Sequence, residues 1–213
     1  MATREHGNWN RLEVDERRRQ LIAVGGSLFS DRSFDDISID EIAAAAGISK
    51  GLLYHYFPSK RHFYVETIRT ASGELLSATA GAEAESDDPV SAGLDAWLDY
   101  VEQHERGYIM LMQGGIGSDE EVRTIAEQTR ERYMQRIMGP IASPSPVLRL
   151  AVRGWIGFVE GATLDWLRDR RLGRDRLRTL LVGSLRAALE QARELDPELA
   201  EELSKLPAAR AGR

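Results

Sequence analysis

The sequence predicts an all-α protein, on three observations. Apolar residues recur at helical spacing through the long segments between breaks. No stretch alternates apolar and polar residues with a period of two. The breaks are cap and turn chemistry: Ser-x-x-Glu, a glycine between two short apolar runs, and Ser/Asp/Pro clusters. No fixed-period repeat points to a solenoid. The expected architecture is an N-terminal three-helix unit over residues 1–62 and a larger helical bundle over residues 63–213.

The elements follow in order. Val14, Leu21, Ile22, Leu28 and Phe29 lie near one helical face behind a polar first turn, Glu13 to Arg19, and that helix ends around Asp31-Arg32-Ser33. Ser38-Ile39-Asp40-Glu41 has the spacing of a capping box, in which Ser and Glu satisfy two backbone donors reciprocally; a short helix starts there and runs to Ala46. Gly47 stops it, and Ser49 caps a second short helix to about Tyr56. Pro58 breaks the chain, and Ser59 caps a longer helix running past Ile68 toward Leu76. Turns at Ser86 to Pro89, Gly114 to Ser118 and Ser143 to Pro146 bound three apolar-periodic stretches, Val90 to His104, Gly107 to Met112 and Asp119 to Met138. Two long stretches, Val147 to Arg171 and Arg174 to Leu195, and a short acidic helix from Pro197 complete the chain.

The chain has 213 residues, room for one large domain or a small and a medium one; 42% hydrophobic and 29% charged residues suit a packed core and exclude wholesale disorder. Without cysteine there is no disulfide framework, thiolate metal site or Cys nucleophile. Apolar runs fall short of the roughly 18 residues a membrane span needs, and the polar start, Met1 to Arg19, does not read as a signal peptide, so a cytoplasmic protein is expected. The net charge of −6 is unevenly placed: residues 1–70 carry 10 basic and 10 acidic side chains, residues 71–213 carry 18 and 24. Acidity therefore does not argue against a nucleic-acid partner for the N-terminal unit, although its zero net charge predicts modest non-specific affinity and a need for two copies.

Two short helices that cross steeply impose requirements. The residue under the crossing must be small, as Ala43 is; the connection needs glycine, as at Gly47; and apolar faces must meet, which Ile42, Ala46, Ile48 and Leu53 supply. Those requirements describe a helix-turn-helix, whose second helix lies in the DNA major groove. Its solvent face shows Lys50, Gly51, Tyr54 and His55. A glycine between short helices also occurs in ordinary bundles, so the wider string decides.

The run from Ser38-Ile39-Asp40-Glu41-Ile42-Ala43 through Gly47-Ile48-Ser49-Lys50-Gly51-Leu52-Leu53-Tyr54-His55-Tyr56-Phe57-Pro58-Ser59-Lys60 closely resembles the signature of the tetracycline-repressor (TetR) family of bacterial transcription regulators. The resemblance covers about residues 14–70; beyond it only length and helix content are similar. It implies DNA contact by Ser38, Ser49, Lys50, Gly51, Tyr54 and His55, with Tyr56 and Lys60 as phosphate clamps. The residue chemistry agrees: lysine meets a phosphate or guanine O6/N7, hydroxyls donate to phosphate oxygens, and glycine lets the backbone approach the groove. Phe57 is assigned to the core. Arg4, Arg11 and Arg17 to Arg19 read equally as a groove-reaching arm or a solvated charge run.

In the bundle, Val147 to Leu167 is apolar on nearly all sides, which requires burial of more than one face, and Leu177 to Ala192 carries a similar stripe. A two-fold partner covers such a second face, and the family resemblance implies a homodimer through the two long C-terminal helices, with Gly154, Gly157 and Gly161 allowing close crossing. The resemblance also implies an effector pocket, for which Trp97, Tyr100, Met110, Tyr133 and Phe158 are candidates, with Gln113, Gln128 and Glu160 as polar orienters; such a lining suits a lipophilic or aromatic molecule. Core filling is the competing reading for each of these residues. His6, His55, His62 and His104 show no metal spacing, and no P-loop or catalytic triad is present, so neither enzyme chemistry nor a cofactor is expected. The expected function is a homodimeric, ligand-responsive repressor whose recognition helices enter major grooves about 34–36 Å apart on a palindromic operator. The alternatives are an activator or dual regulator, and a small-molecule-binding helical protein whose helix-turn-helix serves as an interaction module without DNA.

Overall fold

The computed structural model describes the backbone of residues 5–115, 119–139, 141 and 143–203; side chains are described from residue 14 onward, apart from 31, 114, 115, 201 and 202. Every regular element among the described residues is helical. Two compact units divide after Ala71, inside a helix that the sequence reading had divided between residues 62 and 63.

The first unit holds α1 (Glu5–Asp31), α2 (Ile39–Ala45), α3 (Lys50–Tyr56) and the start of α4 (Lys60–Ala84). The capping box forms as its spacing requires: the Ser38 hydroxyl accepts from the Glu41 N–H at 3.1 Å, and the Ser38 N–H donates to the Glu41 carboxylate at 2.7 Å. Ser49 accepts from the Leu52 N–H at 3.2 Å and Ser59 from the His62 N–H at 3.0 Å, so all three starts sit where serine satisfies an orphan donor. Ile42, Leu53, Phe57 and Phe63 are fully enclosed, each burial being worth about 1.5–3 kcal/mol. Phe57 meets Phe63 edge to face at 4.9 Å. A methyl group added at Gly25 would stand 2.7 Å from the Phe63 ring, so α1 and α4 approach each other closely there. Arg18 ties the same two helices through Glu66 at 2.6 Å.

The second unit holds the rest of α4 with α5 (Pro89–Gln103), α6 (Glu105–Met110), α7 (Glu120–Met138), α8 (Pro146–Arg168), α9 (Arg174–Leu195) and α10 (Leu199–Leu203). Helix α4 passes the expected stop near Leu76 because no breaker intervenes before Ser86 to Pro89; the Thr79 hydroxyl, donating to Leu75 O at 3.0 Å, is absorbed within the helix. The stretch read as Gly107 to Met112 starts earlier as α6 and continues as a π turn, Leu111–Gly115. The expected turn from Gly114 to Ser118 lies largely outside the described residues. Helices α8 and α9 pack through Trp155, whose indole donates to Leu181 O at 2.9 Å, and Trp166 donates to Leu172 O at 2.7 Å. Acidic side chains of α5 and the start of α6 face arginines just before and within the first turns of α9: Arg170 meets Glu102 and Glu105, Arg174 meets Asp99, and Arg178 meets Asp95.

Candidate functional site

Two regions place chemistry where a ligand can use it. The first is the outward side of α3. Gly47 has φ +64°, the left-handed region that costs a non-glycine residue roughly 1–2 kcal/mol. The chain therefore turns there at little cost, the Ile48 N–H bonds to Ala43 O at 3.0 Å, and Ile42 and Leu53 close the interface. With Leu53 inward, Lys50, Gly51, Tyr54 and His55 are exposed together, Tyr54 at 43%. Gly51 has no packing reason to be glycine: an added Cβ would meet nothing closer than Ser49 Oγ at 4.0 Å.

The hydroxyls of Ser38 and Ser49 accept the cap hydrogen bonds, and the Ser38 hydroxyl also lies against the Glu41 carboxylate. Lys50 is not free-standing, since its ammonium meets the Asp40 carboxylate at 2.9 Å. Lys60 lies over the Phe34 ring at 4.2 Å, and Tyr56 is half-buried against the core and edge to face with His55 at 5.4 Å. Hydrogen bonding from Arg32, and then from the Ser38 backbone, holds the Glu41 carboxyl down to about 2, so the cap keeps its charge. Phe57 is in the core as expected. Of the arginine arm, Arg4 and the side chain of Arg11 lie outside the described residues, Arg17 and Arg19 are exposed, and Arg18 is held by Glu66.

The second region is a cavity of about 750 Å³, counting the space at its mouth, between α4, α5, α7 and α8. Val90, Leu94, Trp97, Trp155, Ile156 and Val159 give it an apolar wall, and Thr79, Glu83, Tyr133, Arg136 and Glu160 supply its polar groups. Of the five expected pocket residues, Trp97 and Tyr133 line it. Tyr100, Met110 and Phe158 do not. Tyr100 stacks on His104 at 4.2 Å, Met110 belongs to α6, which contributes no wall, and Phe158 is 41% exposed because the α8 face formed by Trp155, Ile156 and Val159 turns inward. Glu160 lines it as an expected orienter; Gln113 and Gln128 are exposed elsewhere.

The sequence reading missed Thr79, Glu83 and Arg136. Arg136 donates to Leu76 O at 3.0 Å and Thr79 Oγ1 at 2.7 Å, with Glu83 at 3.4 Å. Burial pushes the Glu83 carboxyl above its usual range, against the pull of Arg136. Burial also pushes the Tyr133 phenol up to about 12, with Thr79 beside it. Glu160 is bound by Arg130 at 2.8 Å. The available signal was the α4 row Leu75, Thr79 and Glu83, at i, i+4 and i+8 on one face.

A further surface lies on the outward sides of α8 and α9. Leu150 is 74% exposed, Leu180 is 50% exposed, and added Cβ atoms at Gly154, Gly157, Gly161 and Gly183 would meet nothing within 4 Å.

Among the described residues no group of His, Cys, Asp and Glu is arranged to hold a metal ion, and no helix is long and apolar enough to cross a membrane. Residues 21–67 match the model described as bacterial regulatory proteins, tetR family, and residues 87–188 match the tetracyclin repressor-like C-terminal domain. A crystal structure of a tetR-family transcriptional regulator from Streptomyces coelicolor is 34% identical, superposes with a TM-score of 0.78, and the match covers 90% of each chain. The HTH-type transcriptional activator FasR of Mycolicibacterium smegmatis is 27% identical over 78% of this chain and 80% of its own length. The HTH-type transcriptional regulator BetI of Cronobacter sakazakii is 28% identical over 83% of this chain and 92% of its own.

Proposed function

The chain belongs to the TetR family of transcriptional regulators, and from that premise we propose that it is a ligand-responsive repressor that binds a palindromic operator as a homodimer. The observation that carries the DNA reading is the outward side of α3: Lys50, Tyr54 and His55 project together around a glycine that no internal packing requires. Lys50 and Lys60 meet phosphates, Tyr54 and His55 reach base edges or phosphates, Gly51 admits the backbone, and Ser38, Ser49 and Tyr56 donate to phosphate oxygens. The role is binding rather than catalysis, and it is exercised in the cytoplasm where the chromosome lies.

A second copy covers the outward sides of α8 and α9. Glycine in a helix interior costs about 1 kcal/mol relative to alanine, and at Gly154, Gly157 and Gly161 an added Cβ would meet nothing within 4 Å among the described residues. A partner helix crossing over them supplies the compensating packing. The cavity holds a small effector, and an effector that prefers one conformer shifts the population away from the form that fits the operator.

Fluorescence anisotropy of a labelled random duplex across a salt series tests the DNA reading. Binding whose logarithm falls steeply with log salt is expected, about 0.9 per phosphate neutralised. A flat, weak response at all salt concentrations rejects it in favour of an interaction module without DNA.

A further inference from the structure

On the reading that the cavity holds the effector, its walls also specify one end of that molecule. Most of the lining is apolar, and its charged groups belong to two ion pairs. Glu160 is neutralised by Arg130, at 2.8 Å, with Arg130 also bound to Glu127. The other pair is loose: Arg136 and Glu83 stand 3.4 Å apart, and the Arg136 guanidinium spends its better hydrogen bonds on Leu76 O and Thr79 Oγ1.

Two N–H groups in this wall, Arg136 Nε and Trp97 Nε1, are buried without an acceptor among the described residues. Each such donor forfeits the hydrogen bond it would make in water if it stays unpaired. They come from different helices, α7 and α5, and both side chains pack on one ring: Trp97 meets Tyr133 edge to face at 5.9 Å, and the Arg136 guanidinium lies 4.8 Å from the same ring's centre. The wall is thus short of acceptors at a cationic corner. Burial works against the charged form of Glu83, which weakens its hold on Arg136. A methyl group at Gly93 would stand 2.6 Å from Glu83 Oε1, so α5 leaves room for that carboxyl beside the cavity.

We infer that the effector is an amphiphilic acid: its apolar body packs among Leu94, Trp155 and Val159, and its carboxylate accepts hydrogen bonds from Arg136 Nε and Trp97 Nε1, displacing Glu83 from Arg136.

The test titrates the full chain with 4-phenylbutyrate, 4-phenylbutanol and 4-phenylbutylamine, which share an apolar body and differ in the head group. Binding is read by calorimetry and by tryptophan fluorescence, since Trp97 and Trp155 line the cavity. The acid is expected to bind about tenfold tighter than the alcohol, as a charge-assisted pair in a desolvated site requires, and the amine to bind weakest. In Glu83→Gln, which removes the competing negative charge, the ratio of acid to alcohol affinity rises about fivefold; in Arg136→Gln it falls to about one. If Arg136→Gln loses its helical circular dichroism, Glu83→Gln decides. An alcohol that binds as tightly as the acid, or an affinity ratio unchanged in Glu83→Gln, overturns the head-group assignment and leaves the cavity as an effector site. No binding by any of the three overturns both.

Discussion

The outward sides of α3 and α8 are both open to solvent, and they are opposites. Helix α3 has seven residues, too few to persist alone, and is held by its Ser49 cap and the buried Leu53; what it shows outward are an amine, a phenol and an imidazole, with Leu52 the one large apolar side chain beside them. Helix α8 has 23 residues and shows outward Leu150, Phe158 and a row of glycines. Exposure alone therefore names no partner. A face of hydrogen-bonding groups keeps its value in water and gains specificity against an equally polar surface, whereas an apolar and glycine-lined face gains only when another chain removes water from it.

Variants sharpen that contrast, the largest effect first. In Gly157→Arg the added Cβ meets nothing within 4 Å among the described residues, so the helical signal is expected to be retained while association weakens by two to three powers of ten, roughly the 3–5 kcal/mol that an unpaired buried charge costs. Light scattering should then give the 23.8 kDa of a single chain where the unaltered protein gives twice that. A mass unchanged by the arginine would show that α8 is not the dimer face. Gly47→Ala is expected to lower the unfolding free energy of the first unit by about 1–2 kcal/mol in denaturant titration, through its left-handed backbone.

Lys50→Ala and Tyr54→Ala should each weaken duplex binding about fivefold in gel shift with the oligomeric state intact, and Lys50→Ala should also flatten the salt dependence by about one. Equal affinity for both variants and the parent would remove α3 as the contact helix. Asp40→Asn has the smallest expected effect and the opposite sign: about two- to threefold tighter binding to a random duplex, because one carboxylate leaves the face proposed to meet phosphate.

How far the sequence reaches follows from how far each signal reaches. The starts of α2, α3 and α4 were legible because a serine cap acts on a backbone N–H only three residues away. Gly47 was legible because the turn it makes is local. The cavity was legible only in outline. Its polar corner joins Arg136 to Leu76, 60 residues apart, and an arginine on an amphipathic helix reads as solvated until the packing of α4 against α7 is known. The expected end of α4 near Leu76 also left Thr79 and Glu83 unassigned to any helix. Phe158 was misplaced because α8 is apolar on nearly all sides, so periodicity could not tell the inward face from the outward one. Asp40 and Lys50, ten residues apart, become partners only through the crossing angle of α2 and α3.

That last pair bears on how the regulator would search a chromosome. Asp40 acts as a built-in counterion for Lys50, so the protein meets nucleic acid with part of its positive charge already spent. If, as proposed, the protein binds DNA as a dimer, random sequence holds it loosely and lets it move on, and only a site that also engages Tyr54 and His55 offsets the exchange of one anionic partner for another.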